Sequence, residues 1–346
     1  MDSTPTDPAG EETLQRLWAR GCDFLGTPTA ILGGAMSWVS ERNLVSAISN
    51  AGGFGIIACG SMDPDMLCTE IAATATLTDK PFGVNLITMH PDLDALIDVC
   101  LAKTVGHVVL AGGLPRAAQI ARIKAGGAKV LCFAPTLTFA HKLMRSGADA
   151  LIIEGMEAGG HIGPVSTSVL AQEILPEIDD VPVFVAGGIG HGEAVAAYLE
   201  MGASGCQLGT RFVCAEESIA HPDFKKRLLR AQARDAQVSS QLDPRFPVVP
   251  VRALANAASD RFLDVQRTVI AKVEAGELDQ KAAQLEIEHF WVGALRRAII
   301  DGDVDNGSVM VGQSVGMVRS EQPLADVIAE LVAQAARALA RRNPAT

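Results

Sequence analysis

The chain has 346 residues, 48% hydrophobic and 20% charged, with a net charge of -11. That much apolar material builds a large core and excludes a disordered chain, while an acidic surface without a Lys/Arg run excludes a nucleic-acid partner. Seven cysteines with no CxxC pair read as reduced core thiols rather than disulfides or a metal site, and no apolar run reaches the ~20 residues of a membrane span. The leading "MDSTPTDPAGEETLQ" is polar and acidic, unlike a secretory or transit peptide, so the expected location is cytoplasmic.

Along the chain, short apolar runs of strand character alternate with helix-like stretches. The runs are Thr29 to Gly34, Phe54 to Cys59, Pro81 to Ile87, His107 to Gly112, Ala128 to Ala134, Ala148 to Gly155, Val181 to Gly188 and Ser204 to Phe212. Asp63 followed by Pro64 is a strong helix start, a cap and then a proline in the first turn. Strands apolar on both faces, alternating with helices, predict a parallel sheet covered on both sides. Eight such units predict an α/β fold of the (β/α)8 TIM-barrel type. An open doubly wound sheet would place a GxGxxG fingerprint after the first strand, and "GGAMSW" does not match it. The expected division is an N-terminal extension (1–24), a barrel (25–215) and a mainly helical region packed on it (216–346). The last region includes the irregular "SSQLDPRFPVVPVRALAN" and helical residues 261–300.

The working face of such a barrel lies at the carboxyl ends of its strands. There the sequence places "GGAM" (33–36), Asn85, "EGMEAGGH" (154–161), "AGG" (186–188) and "QLGTR" (207–211). Loops after strands seven and eight are the usual phosphate site of the fold, so the backbones of Gly187, Gly188, Gly209 and Thr210 are phosphate-ligand candidates. Glycines after strands one and six would let a flat ring lie against the backbone. That suits flavin mononucleotide, with Asn85, Gln207 and the backbone of Ala35 and Met36 on its polar edge. A sugar phosphate is the competing ligand, in a barrel without redox activity.

His161 follows two glycines at this face and is a candidate for proton transfer near neutral pH. Glu157 either orients its imidazole or caps a turn, and Ser166, Thr167 and Ser168 read as caps of the next helix. His90 reads as a solvated loop residue, and His191 as a helix start or a ligand contact. His107, His141, His221 and His289 read as structural.

"GGAMSWVSERNLVSAISNAGGFGIIA", "LTDKPFGVNL", "GADALIIEGMEAGGHIG", "VPVFVAGGIGHG" and "MGASGCQLGTRF" together resemble the nitronate monooxygenase / 2-nitropropane dioxygenase family. That family also contains the FMN-dependent enoyl-ACP reductase of bacterial fatty-acid synthesis. The resemblance covers about residues 25–235, with an echo in "GQSVGMVRSEQPLADVI". It implies a barrel, non-covalent FMN and a catalytic histidine at His161. It also implies FMN contacts at Ala35, Met36, Ser37, Asn85, Glu154, Gly159, Gly160, Gly187, Gly188, Gln207, Gly209 and Thr210. Where some members carry a lysine on strand five, this chain has Phe133. The first expected activity is oxidation of alkyl nitronates by O2. The alternative is NAD(P)H-dependent reduction of enoyl thioesters or quinones. The partners are then small molecules, with a homodimer left open and no metal.

Overall fold

Helix α1 (Pro8–Leu25) opens the chain, and the predicted alternation follows it. The barrel half comprises β1 (Ile31–Gly33), α2 (Arg42–Asn50), β2 (Gly55–Ala58), α3 (Pro64–Leu77), β3 (Phe82–Ile87), α4 (Leu93–Ala102), β4 (His107–Ala111), α5 (Ala117–Ala125), β5 (Lys129–Phe133), α6 (Leu137–Arg145) and β6 (Ala150–Glu154). It continues through the two-residue β7 (Gly160–His161), α7 (Thr167–Ile174), β8 (Val183–Ala186), α8 (Gly192–Glu200), β9 (Gly205–Leu208) and the short α9 (Thr210–Val213). Beyond it lie α10 (Pro222–Leu229), β10 (Ala236–Val238), β11 (Val251–Leu254), α11 (Ala257–Glu274), α12 (Gln280–Ile299), β12 (Val309–Met310) and α13 (Leu324–Arg342). This is a computed structural model and it describes residues 8–245 and 250–342, so Phe246 to Val249 of the irregular stretch lie outside the described residues.

Each of the eight predicted runs contains a strand of one parallel sheet, in the order β1-β9-β8-β6-β5-β4-β3-β2. The two ends of that order join: Gly33 N donates to Phe54 O and Phe54 N to Ile31 O, both at 2.9 Å, which closes the TIM barrel. Alternation along the strands sends Leu32, Phe54, Ile56, Val109, Leu131, Ile152 and Phe184 into the barrel. The opposite faces meet the helices in the larger core. Asp63 caps α3 as its sequence predicts, accepting from Met66 N at 2.8 Å.

The floor of the barrel is closed by the end of α1. Phe24 and Leu25 pack beneath the interior side chains, and His107 Nε2 lies 2.9 Å from Phe24 O. Burial there pulls the His107 imidazole down to about 4, so it is neutral and structural, as read from the sequence.

Two local expectations change. The eighth run was expected to stay extended to Phe212, but the strand ends at Leu208 and Thr210 begins α9. Within the stretch expected to be irregular, Val251–Leu254 is the central strand of a second, antiparallel sheet. β11 pairs with β10, with β12 and with β7, whose His161 belongs to the barrel half. Four residues with partners far away in sequence carry too little local pattern to read as a strand.

Candidate active site

At the carboxyl end of the barrel, alternation decides which side chains face the mouth. Ile56 and Ile152 face inward, so Ala58 and Glu154, two residues on, do too. Cα pairing sets Ala58 beside Asn85, Glu154 beside Ala186, and Ala186 beside Gln207. Phe133 completes the ring from β5. The mouth is therefore crowned by three polar side chains, one aromatic and two alanines.

Those polar groups have hydrogen-bonding capacity to spare. Asn85 is 5% exposed and donates from Nδ2 to Val109 O at 3.3 Å, which leaves its Oδ1 open. Gln207 is 6% exposed, and its amide makes no hydrogen bond among the described residues. Glu154 likewise has no partner there, and burial pushes its carboxyl up to about 7. Asn85 and Gln207 are buried and Glu154 is half-buried, so the ring keeps hydrogen-bonding capacity that a polar ligand can take up.

The glycine pairs after β8 and β9 meet the same test. Gly187 and Gly188 have φ of 97° and 72°, the left-handed region that favours glycine. The N–H groups of Gly187, Gly188, Gly209 and Thr210 are engaged by no other described backbone group. Ala35, Met36 and Ser37 lie in the loop after β1, ordered by Ser40, whose Oγ accepts from Met36 N and donates to Gly34 O. A Cβ on Gly209 would sit 3.4 Å from Met36 Sδ, so this loop adjoins the last phosphate-loop candidate. The Thr210 hydroxyl is taken by the chain itself, accepting from Gly312 N at 2.8 Å.

The loop after β6 carries Glu157, Gly159, Gly160 and His161. A Cβ on Gly159 would lie 2.5 Å from both Gly312 N and Val311 C, so what approaches this backbone closely is the chain's own C-terminal segment. Gly160 has φ of 76° and opens β7. His161 is exposed and sits opposite Val251 in the small sheet. Glu157 resolves to a cap: its carboxylate accepts from Thr167 N at 2.9 Å and Thr167 Oγ1 at 2.8 Å at the start of α7. The expected cap from the serines is corrected accordingly, since Ser166 occupies the cap position without a side-chain bond. His191 caps α8, and His90 accepts from Asp92 N in a local turn. The side chain of His289 lies outside the described ones.

Beside the crown, a cavity of about 250 Å³ is lined by Phe133, Pro135, Phe139, Glu154, Val165 and Leu170, together with glycines of the loops after β4 and β6. Most of these escaped the sequence reading. Gly112–Gly113 repeats the "AGG" that marked Gly187–Gly188 and was the one usable signal. Phe139 and Leu170 belong to helices and reach back to the mouth.

A sequence model described as nitronate monooxygenase matches residues 20–96 and 92–334. The (3aS,4S,5R,7aS)-5-hydroxy-7a-methyl-1-oxo-octahydro-1H-indene-4-carboxyl-CoA dehydrogenase of Rhodococcus jostii is 31% identical over 334 residues, covering 90% of this chain and 94% of that one. A nitronate monooxygenase of Paraburkholderia phytofirmans is 27% identical, over 94% of this chain and 95% of its own. FabK from Thermotoga maritima superposes with a TM-score of 0.84 at 35% identity, covering 94% of this chain and 98% of that one. With matching motifs on one barrel and a family model spanning most of its length, the chain belongs to the nitronate monooxygenase family and is an oxidoreductase.

Proposed function

We propose that this oxidoreductase binds FMN at the barrel mouth and acts on an acyl thioester, with NAD(P)H as reductant. The observation that carries the substrate class is the cavity lining. Phe133, Pro135, Phe139, Val165 and Leu170 offer apolar surface, Glu154 is the one ionisable group, and no lysine or arginine is among the lining residues. An acyl chain gains by burial there. A small nitronate anion would meet a carboxyl and no cation. The Rhodococcus relative, named a carboxyl-CoA dehydrogenase, supports the same class.

The open crown and the unengaged N–H groups fit FMN. Gly187, Gly188, Gly209 and the Thr210 N–H would hold the phosphate. Asn85, Gln207, Glu154 and the backbone of Ala35, Met36 and Ser37 would meet the ring's polar edge, with Gly159–Gly160 alongside. When bound, FMN supplies the electron transfer, and the protein supplies orientation. His161 is the proton-moving group, holding the thioester carbonyl or protonating the carbon chain.

Nitronate oxidation with O2 is the second reading, favoured by the Paraburkholderia relative. The two separate in one comparison: FMN-loaded protein with NADH or NADPH and crotonyl-CoA, against propionate-3-nitronate and O2. Thioester-dependent consumption of NAD(P)H is expected. Nitronate turnover without it would overturn the thioester reading. Protein that stays colourless after FMN addition would remove the cofactor and favour a sugar-phosphate barrel.

A further inference from the structure

We propose that Arg252, on β11, is a positioning residue for His161 and that the small sheet is therefore a working part of the catalytic site. The inference rests on the reading of His161 as the proton-moving group. Arg252 is 4% exposed, and its guanidinium bridges two separate segments. Nε donates to Met156 O at 2.9 Å in the loop after β6, and Nη1 donates to Ala236 O on β10. Its own backbone lies opposite Gly160 while its neighbour Val251 lies opposite His161, and Ile162 N donates to Pro250 O at 2.9 Å.

The loop carrying His161 is thus held at both ends of its turn. One end is tied by the side chain of Arg252 through Met156, the other by the backbone of 250–252 through β7. A third surface comes from Val311–Gly312 against Gly159.

Burying a guanidinium is costly unless its N–H groups are bonded. Burial pulls the Arg252 pKa down, and the Glu157 carboxylate partly offsets this. A side chain kept at that cost for scaffold alone could be replaced by a well-packed apolar one. The planar fork does what an apolar residue cannot do: it fixes one carbonyl of the site loop relative to one carbonyl of the small sheet. Lysine, with a single rotatable ammonium, does not hold both in that geometry.

The test compares Arg252→Lys, Arg252→Met, His161→Ala and the double variant His161→Ala/Arg252→Met, in whichever assay above shows turnover, alongside amide hydrogen exchange. Arg252→Met should lower kcat by about tenfold or more, since a displacement of about 1 Å at a catalytic group costs up to about a hundredfold. Arg252→Lys should fall between it and the wild type. Exchange should rise at residues 159–162, with α3 on the far side of the barrel unchanged. Since Arg252 acts through His161, its effect should vanish in the His161→Ala background. Additive losses, or exchange at 159–162 left unchanged, would overturn the proposal. If Arg252→Met fails to fold, Arg252→Lys carries the same comparison. If His161→Ala keeps wild-type turnover, the His161 reading fails and the Arg252 assignment falls with it as a catalytic device, whatever the exchange result.

Discussion

Glu154 ends β6 with its carboxyl in the barrel mouth, unpaired among the described residues and pushed up by burial to about 7. Because the folded-state value lies above the unfolded one, folding favours the neutral form. The associated stability is present below about pH 4.5 and is lost as the pH rises through 7. A shift from 4.5 to about 7 corresponds to at most about 3 kcal/mol, less whatever solvent reaches the partly exposed side chain. Melting curves of the FMN-free protein should therefore fall between pH 5 and pH 8 more steeply for the wild type than for Glu154→Gln. Parallel curves would show that the carboxyl is solvated. His107 works in the opposite direction: its depressed pKa removes stability as the pH drops from 6.5 through about 4. Comparing the two proteins at each pH cancels that term. Asn85 and Gln207 were legible as mouth residues because each is a polar residue near the end of an otherwise apolar strand, and Glu154 through the family resemblance. Arg252 was not, because its partners stand 96 and 16 residues away and nothing in "VPVRALAN" announces them.

Among the elements, α7 has an unusual start. Its cap comes from Glu157, ten residues before the donating amide of Thr167, rather than from the serine at the cap position. The same carboxylate takes the Thr167 hydroxyl, so the loop of the candidate site and the first turn of α7 are joined at one group. Glu157→Ala should cost about 0.5 to 2 kcal/mol, the usual range for losing a helix cap. Urea unfolding reads this as a lower midpoint with an unchanged slope. A cost near zero would mean that Ser166 takes over. The eight barrel strands and their helices could be read from the sequence because apolar periodicity is a local property. β7, β10, β11 and β12 hold two to four residues each, pair across long separations and follow no period. On the side where a Cβ would stand, Gly159 meets the backbone of Val311 and Gly312, a neighbour that its own stretch of sequence does not announce.

On the scale of the whole molecule, a ligand that binds only the folded chain stabilises it by mass action. FMN at about a hundred times its Kd should add about 2.7 kcal/mol and raise the melting temperature by several degrees. Thermal unfolding with and without FMN measures this independently of turnover, and no shift would count against FMN. The fold class was legible from the motif order. How the C-terminal third meets the mouth was not, since it depends on contacts between segments that no single stretch encodes.

The interlock of Gly159 with Val311–Gly312 also orders events in time. Synthesis finishes the last barrel strand at Leu208, but the segment that seats the histidine loop emerges about a hundred residues later. At about 5 to 20 residues per second, the nascent chain spends about 5 to 20 s with every barrel strand made and the Val311–Gly312 side of the histidine loop still open. On the proposed reading of the site, flavin capture and catalytic competence are therefore separable in biogenesis. The candidate phosphate loops are complete when Thr210 emerges, while the seat of the His161 loop waits for the far end of the chain.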